Sequence, residues 1–339
     1  MEKQQPLKSR SQTRNWTHEL VQYREPDQLR SVLEILVTVA PLVLLWLLAW
    51  LALSISYLLT LAFAVLAGGF LVRLFMIQHD CGHGSFFRQR GANDWVGRVI
   101  GVLTLTPYDI WRQSHATHHA TSGNLDRRGI GDINTLTVRE YLALPRLRRL
   151  NYRLYRHPLI LFGVGPTYLF LLRNRLPSNV IGASAYEWLS ALATNAAIAG
   201  AAVGMMLLVG IVPFLLVHLP IVLVGSTIGV WLFFVQHQFE DTFWADSDTW
   251  LYRDAALYGS SHYDLPLVLR WFTANIGIHH VHHLYSRIPF YRLGHVLCEH
   301  PELADVRRLT LLQSFANVRL SLWDERSKQL VSFRRLRGL

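Results

Sequence analysis

Two histidines four residues apart, His79 and His83, open a pattern that returns as His115, His118, His119 and again as His279, His282, His283. On a helix, offsets of 0, 3 and 4 fall within an arc of about 100°, so each cluster presents its imidazoles to one point. Neutral imidazole is a ligand for iron, copper, nickel and zinc. A zinc site takes about four ligands, usually with a thiolate or carboxylate among them, and eight neutral rings are too many for one ion. Two metal ions sharing the set is the economical reading. His237, in the stretch Phe233 to Asp241, is the candidate ninth ligand. Zinc-protease chemistry wants Glu after the first histidine of its helix motif, and Asp80 holds that place. His280 lies about 100° round the helix from His279 and is expected to flank the site. His157, His218, His262, His295 and His300 have no partner at helical spacing and read as structural or interfacial. Metal-bound imidazoles need acceptors for their second nitrogens, and Asp80, Asp109, Asp126, Asp132, Glu240, Asp241, Asp264 and Asn275 are the candidates.

The elements that position these rings follow from hydropathy. Of 339 residues, 51% are hydrophobic and 17% charged, with a net charge of +10; soluble proteins carry about 25% charged residues. Ile35 to Val72 contains no charged side chain in 38 residues, about 57 Å as one helix against a hydrocarbon core of about 30 Å. Two spans turning near Ser54, Ile55 and Ser56 resolve the excess. Trp188 to Phe239 has none in 52, and Gly210, Ile211, Val212 and Pro213 divide it into two more. Val99–Pro107 and Pro158–Leu172 are too short to cross and read as re-entrant or interfacial segments. The expected fold is an all-α integral membrane protein: four transmembrane helices in two hairpins, interfacial helices, and a cytoplasmic helical cap carrying the histidine-rich dimetal site. It forms one domain, with an N-terminal segment 1–34, a first hairpin 35–76, a segment 77–187 with two histidine clusters, a second hairpin 188–235, and a segment 236–339 with the third.

Six Lys/Arg precede the first hairpin, fourteen Arg lie between Gln78 and Arg175, and twelve Lys/Arg follow Gln236, while the hairpin turns carry none. Positive loops stay cytoplasmic. Both termini and the metal site are therefore expected on the cytoplasmic side, where two crossings return each cluster to the same face. The charge suits anionic head groups without invoking nucleic acid. No cleaved signal peptide is read in the first 30 residues, and two cysteines build neither a disulfide framework nor a thiolate metal site.

With Gly84, Ser85, Phe86 and Phe87 after the first cluster, Ala120 to Gly129 after the second, the Gln236–Trp244 stretch, and Leu284 to Pro289 after the third, the chain resembles the membrane fatty acid desaturases with three histidine boxes. It is similar to their acyl-lipid branch of bacterial and cyanobacterial delta-12/omega-6 type. The resemblance implies a di-iron centre, dioxygen as oxidant, an acyl chain as substrate and a bacterial inner (plasma) membrane location, and it matches His237 to an extra ligand of the family. CoA-using animal-type members space the first box one residue wider, so the acyl chain of a membrane lipid is expected. With no fused cytochrome domain apparent, electrons are expected from an external ferredoxin or flavodoxin with its reductase.

Trp111 and Trp231 are candidate linings of an apolar tunnel for that chain. Pro301 to Leu339, mixing Leu, Phe and Trp with Arg, reads as amphipathic helix on the membrane surface. The alternatives are a di-iron hydroxylase or ketolase acting on a lipid, alkane or carotenoid, and a haem or metal-transfer protein. A transporter is disfavoured because the charge-free runs read as spans hold no Asp, Glu, Lys or Arg.

Overall fold

The computed structural model describes residues 15–177 and 183–338. Four helices are long and apolar enough to cross a bilayer: Gln28–Ala52, Tyr57–His83, Ala185–Val209 and Ile211–His237. The protein is a mostly helical membrane protein. Asp27 caps the first span by accepting the Arg30 amide at 3.0 Å. The first hairpin turns through Leu53–Ser56, as its spacing predicts. In the second hairpin only Gly210 interrupts the helix, at φ 90°, and Ser184 with Glu187 forms the capping box that starts its first arm. Pro213 sits in the first turn of the fourth span, where a missing amide hydrogen costs little.

The second span packs between the first and the fourth. Gly68 and Gly225 permit the crossing with the fourth: a Cβ on Gly68 would come within 2.6 Å of Val224 Cγ1. The third span is the least covered, with only Ala191 and Thr194 buried. Glu34 and Arg73, the charges that bound the first apolar run, meet as a buried ion pair because the hairpin brings its ends level. Arg73 also donates to the Trp271 carbonyl, with its guanidinium 4.0 Å from the Trp271 ring. Of the segments expected to be too short to cross, the first begins in the last turn and a half of the helix Arg90–Leu103, and the second forms the adjoining π-helical Ile160–Val164 and α-helical Gly165–Leu171.

The C-terminal stretch corrects the surface-helix expectation. It folds as a turn Pro301–Leu303, a strand Arg308–Thr310, a short helix Leu311–Asn317 and a hairpin of Leu320–Asp324 with Gln329–Ser332. Leu136–Thr137 extends that hairpin in parallel, Leu136 opposite Leu322 and Thr137 opposite Trp323. Trp323 and Leu330 pack with Leu125 and Trp244, while Leu322 and Val331 pack with Tyr141 and Tyr152. Composition alone suggested a lipid-facing helix, but these apolar side chains are buried against protein on both faces of a ribbon.

Candidate metal centre

The first box is the last turn of the second span. That helix stops at Gly84, whose left-handed backbone (φ 66°) lets the Ser85 amide reach the Asp80 carbonyl at 3.0 Å. The second box lies on Tyr108–Thr121 and the third on His279–Leu284. Two glutamines fasten this frame. Gln78, beside His79, donates to the Thr106 carbonyl at 3.1 Å, and Gln236, beside His237, donates to the Ile276 carbonyl at 3.0 Å. Each ties the end of a span to the segment leading into a box. Sequence reasoning passed over both, although the recurring Gln-His pair closing the second and fourth spans was a readable signal. Tyr108 adds a bond to the Cys81 carbonyl at 2.8 Å, and Asp80 accepts the Phe290 amide at 2.7 Å.

All nine predicted histidines come together, in two groups. His79, His83, His115, His119 and His282 form one, and His118, His237, His279 and His283 the other, with donor nitrogens in each within 4.8 Å of one another. The Nε2 atoms of His83 and His115 are 3.0 Å apart, those of His115 and His119 3.1 Å, and those of His119 and His282 3.1 Å. In the second group, His237 Nε2 lies 3.1 Å from His118 Nε2 and 3.0 Å from His279 Nε2.

These contacts test whether cations fit. His118 Nδ1 lies 2.5 Å from an Asp132 oxygen, and His237 Nδ1 faces the Gly259 carbonyl at 3.2 Å. Both acceptors call for a proton on Nδ1. In the neutral rings the facing Nε2 atoms then carry lone pairs, which repel at 3.1 Å unless a cation lies between them. Nitrogens about 3 Å apart are spaced as neighbours on one ion with bonds of about 2.1 Å. Burial, followed by the neighbouring rings, holds His115, His119, His279, His282 and His283 well below the ordinary imidazole pKa, in the neutral form a metal requires. The donor set fits two metal ions.

The acceptor candidates divide sharply. Asp132 bonds His118, and Asp80 approaches His79 Nδ1 at 3.2 Å. Five of the others are engaged elsewhere. Asp109 accepts from Arg98 and Ser190, Asp126 from Ser247, and Asp241 from Gln329. Asp264 pairs with Arg308, and Asn275 with Arg270 and the Phe290 carbonyl. The Glu240 side chain is exposed, and its backbone carbonyl accepts the Leu330 amide. The five engaged side chains lie near the boxes in sequence, but arginines, a hydroxyl, a glutamine amide and backbone groups take their polar atoms. The Gly259 carbonyl was invisible to a search among side chains.

His280 turns away from both groups and bonds the Leu303 carbonyl at 2.8 Å. Trp111 stacks on His115 at 4.7 Å between ring centres, near parallel, and touches Phe75. Trp231 packs against Phe162 and Phe315 and donates to the Tyr263 hydroxyl at 3.3 Å. Neither lines the small cleft beside His237 and Asp132.

The sequence model of fatty acid desaturases matches residues 55–311. This chain belongs to the fatty acid desaturase family. It is 48% identical to a fatty acid desaturase of Bacillus subtilis (strain 168) over 323 residues, 95% of this chain and 91% of that protein. An sn-1 acyl-lipid omega-3 desaturase (ferredoxin) of Synechocystis is 28% identical over 68% of this chain and 64% of its own length. An sn-1 oleoyl-lipid 12-desaturase of the same organism is 27% identical over 73% of this chain and 67% of its own. As a desaturase the protein is an oxidoreductase, and its histidine groups lie inside the matched stretch.

Proposed function

We propose that this desaturase introduces a cis double bond into the acyl chain of a membrane lipid, using dioxygen and two iron ions held by the nine histidines. The balance is one –CH2–CH2– unit, one O2, two electrons and two protons giving one –CH=CH– unit and two waters. The observation that carries the reading is the pair of imidazole groups with facing lone pairs at the ends of two spans. An unactivated methylene has no acidic hydrogen, so side-chain acids and bases cannot start its oxidation; the irons supply that oxidising power. The chain's own residues hold the geometry. Asp132 and the Gly259 carbonyl orient His118 and His237, and the Trp111 ring covers His115. Asp132 also takes the Gly129 amide at 3.3 Å, which fixes its carboxylate in the loop after the second box.

The distribution of Lys and Arg supports a cytoplasmic site with both termini on that side of a bacterial plasma membrane. The Synechocystis omega-3 relative is named as a ferredoxin enzyme, which supports ferredoxin as the external donor, served by its reductase. Expression in a host with a compatible donor, followed by mass analysis of its lipids, tests the reaction. Loss of two hydrogens at a new, locatable double bond is the expected product. Gain of an oxygen atom would instead mark a hydroxylase, and active protein without iron would end the di-iron reading.

A further inference from the structure

The helix Arg146–Tyr155 has two opposed faces. One is packed: Tyr152 is buried and its hydroxyl donates to the Ser321 carbonyl at 2.7 Å and accepts the Leu136 amide at 3.1 Å. The other carries Leu147, Leu150 and Leu154, spaced i, i+3, i+7 and 69%, 52% and 52% exposed, with exposed Leu142 and Leu159 at its two ends. Arg146, Arg149 and Arg153 repeat the same spacing along the flank of that leucine stripe. No carboxylate among the described residues pairs with any of them, nor with Arg148, although Arg149 and Arg153 also bond the Leu144 carbonyl and the Tyr141 hydroxyl. The four arginines thus stand beside apolar side chains without a counter-charge.

The level of this helix in the fold says what meets it. Arg156, immediately after it, bonds Gln238 Oε1 at 2.8 Å and lies 5.7 Å from the Phe234 ring, at the histidine-bearing end of the fourth span. The chain then runs alongside that span, where Thr227 donates to the Phe162 carbonyl at 2.9 Å. The helix therefore sits where hydrocarbon gives way to head groups. An exposed leucine stripe flanked by long cationic stems is suited to acyl chains below and phosphates above.

We propose that Arg146–Tyr155 is a docking surface for anionic phospholipid, its leucines entering the acyl layer and its arginines engaging head-group phosphates. The inference does not rest on the desaturase reading, and its test reads lipid contact instead of turnover. The full chain carries Leu150→Cys with Cys298→Ser, since Cys298 is exposed and Cys81 buried, and the new thiol bears an environment-sensitive fluorophore. In phosphatidylcholine vesicles containing phosphatidylglycerol, shallow spin-labelled lipid should quench the probe more strongly than aqueous iodide. At equal mole fraction, brominated phosphatidylglycerol should quench more than brominated phosphatidylcholine, and Arg146→Gln with Arg148→Gln should reduce that preference by up to about fivefold per arginine. Both side chains are exposed and make no hydrogen bond among the described residues, so the fold should survive. Stronger quenching by iodide, equal quenching by the two lipids, or protection of the probe by an acidic electron-carrier protein would each overturn the proposal.

Discussion

The two histidine groups are built from the same side chain and differ in what holds them. The four-ring group is wholly buried, and two of its rings are aimed from behind, His118 by Asp132 and His237 by the Gly259 carbonyl. The five-ring group has one more donor but a looser setting. His83 and His115 are half-buried, His115 leans on the Trp111 ring, and the Nδ1 of His119 is buried without a partner among the described residues. Two rings of the four-ring group are set by hydrogen bonds from behind, although its His279 Nδ1 is also buried without a partner among the described residues; in the five-ring group the Asp80 contact with His79 is joined by the number and packing of rings. The third-box helix contributes His282 to one group and His279 and His283 to the other, so each is completed only when that helix docks.

The largest expected effect comes from removing one ring per group. His118→Ala and His282→Ala should each abolish turnover, by at least about 100-fold, and iron analysis should fall from about two ions per chain towards one. Full activity in either variant would break the comparison. Next comes Asp132→Asn, which should lower metal affinity or activity about 10- to 100-fold through the four-ring group alone; equal loss from both groups would show that they are not separately supported.

Acidity should act on both groups before metal is loaded. His115, His119, His279, His282 and His283 are held below their ordinary pKa, while the unfolded chain takes up protons below about pH 6.5. Stability of metal-free protein should thus be constant above that pH and fall as pH drops below it. Thermal melting in detergent between pH 8 and pH 5 would read the slope, and His115→Gln or His283→Gln should each reduce it by about one proton. Trp111→Ala, confined to the five-ring group, should cost about 2- to 10-fold in rate, the worth of one aromatic stack. Asp126→Asn and Asp241→Asn should leave iron content unchanged and shift stability by less than about 0.5 kcal/mol, since both carboxylates are exposed and bond elsewhere.

Much of this was legible beforehand because it rests on period and length. Runs without charge gave the four spans, and the 0, 3, 4 spacing gave the three clusters and their shared face. An even number of crossings put His79, His118, His237 and His283 on one side. What stayed hidden depends on side-chain direction. Asp109 and Asp132 are each close to the second box in sequence, yet Arg98 and Ser190 take the first and His118 the second. The Gly259 carbonyl carries no residue-type signal at all. The C-terminal hairpin was missed because Trp323 and Leu330 were weighed by composition, whereas their partners, Leu125 and Trp244, lie 79 or more positions away.

The order of the boxes along the chain sets a timetable for synthesis. His83 leaves the ribosome 200 residues before His283 (283 − 83), which at ~5–20 residues per second is a delay of ~10–40 s. During that interval the early rings stand in the membrane without the helix that closes both sites. Neither metal site can be complete until translation has passed the last box, and a nascent chain stalled before His279 would carry both half-formed, with imidazoles open to whatever cation reaches them first.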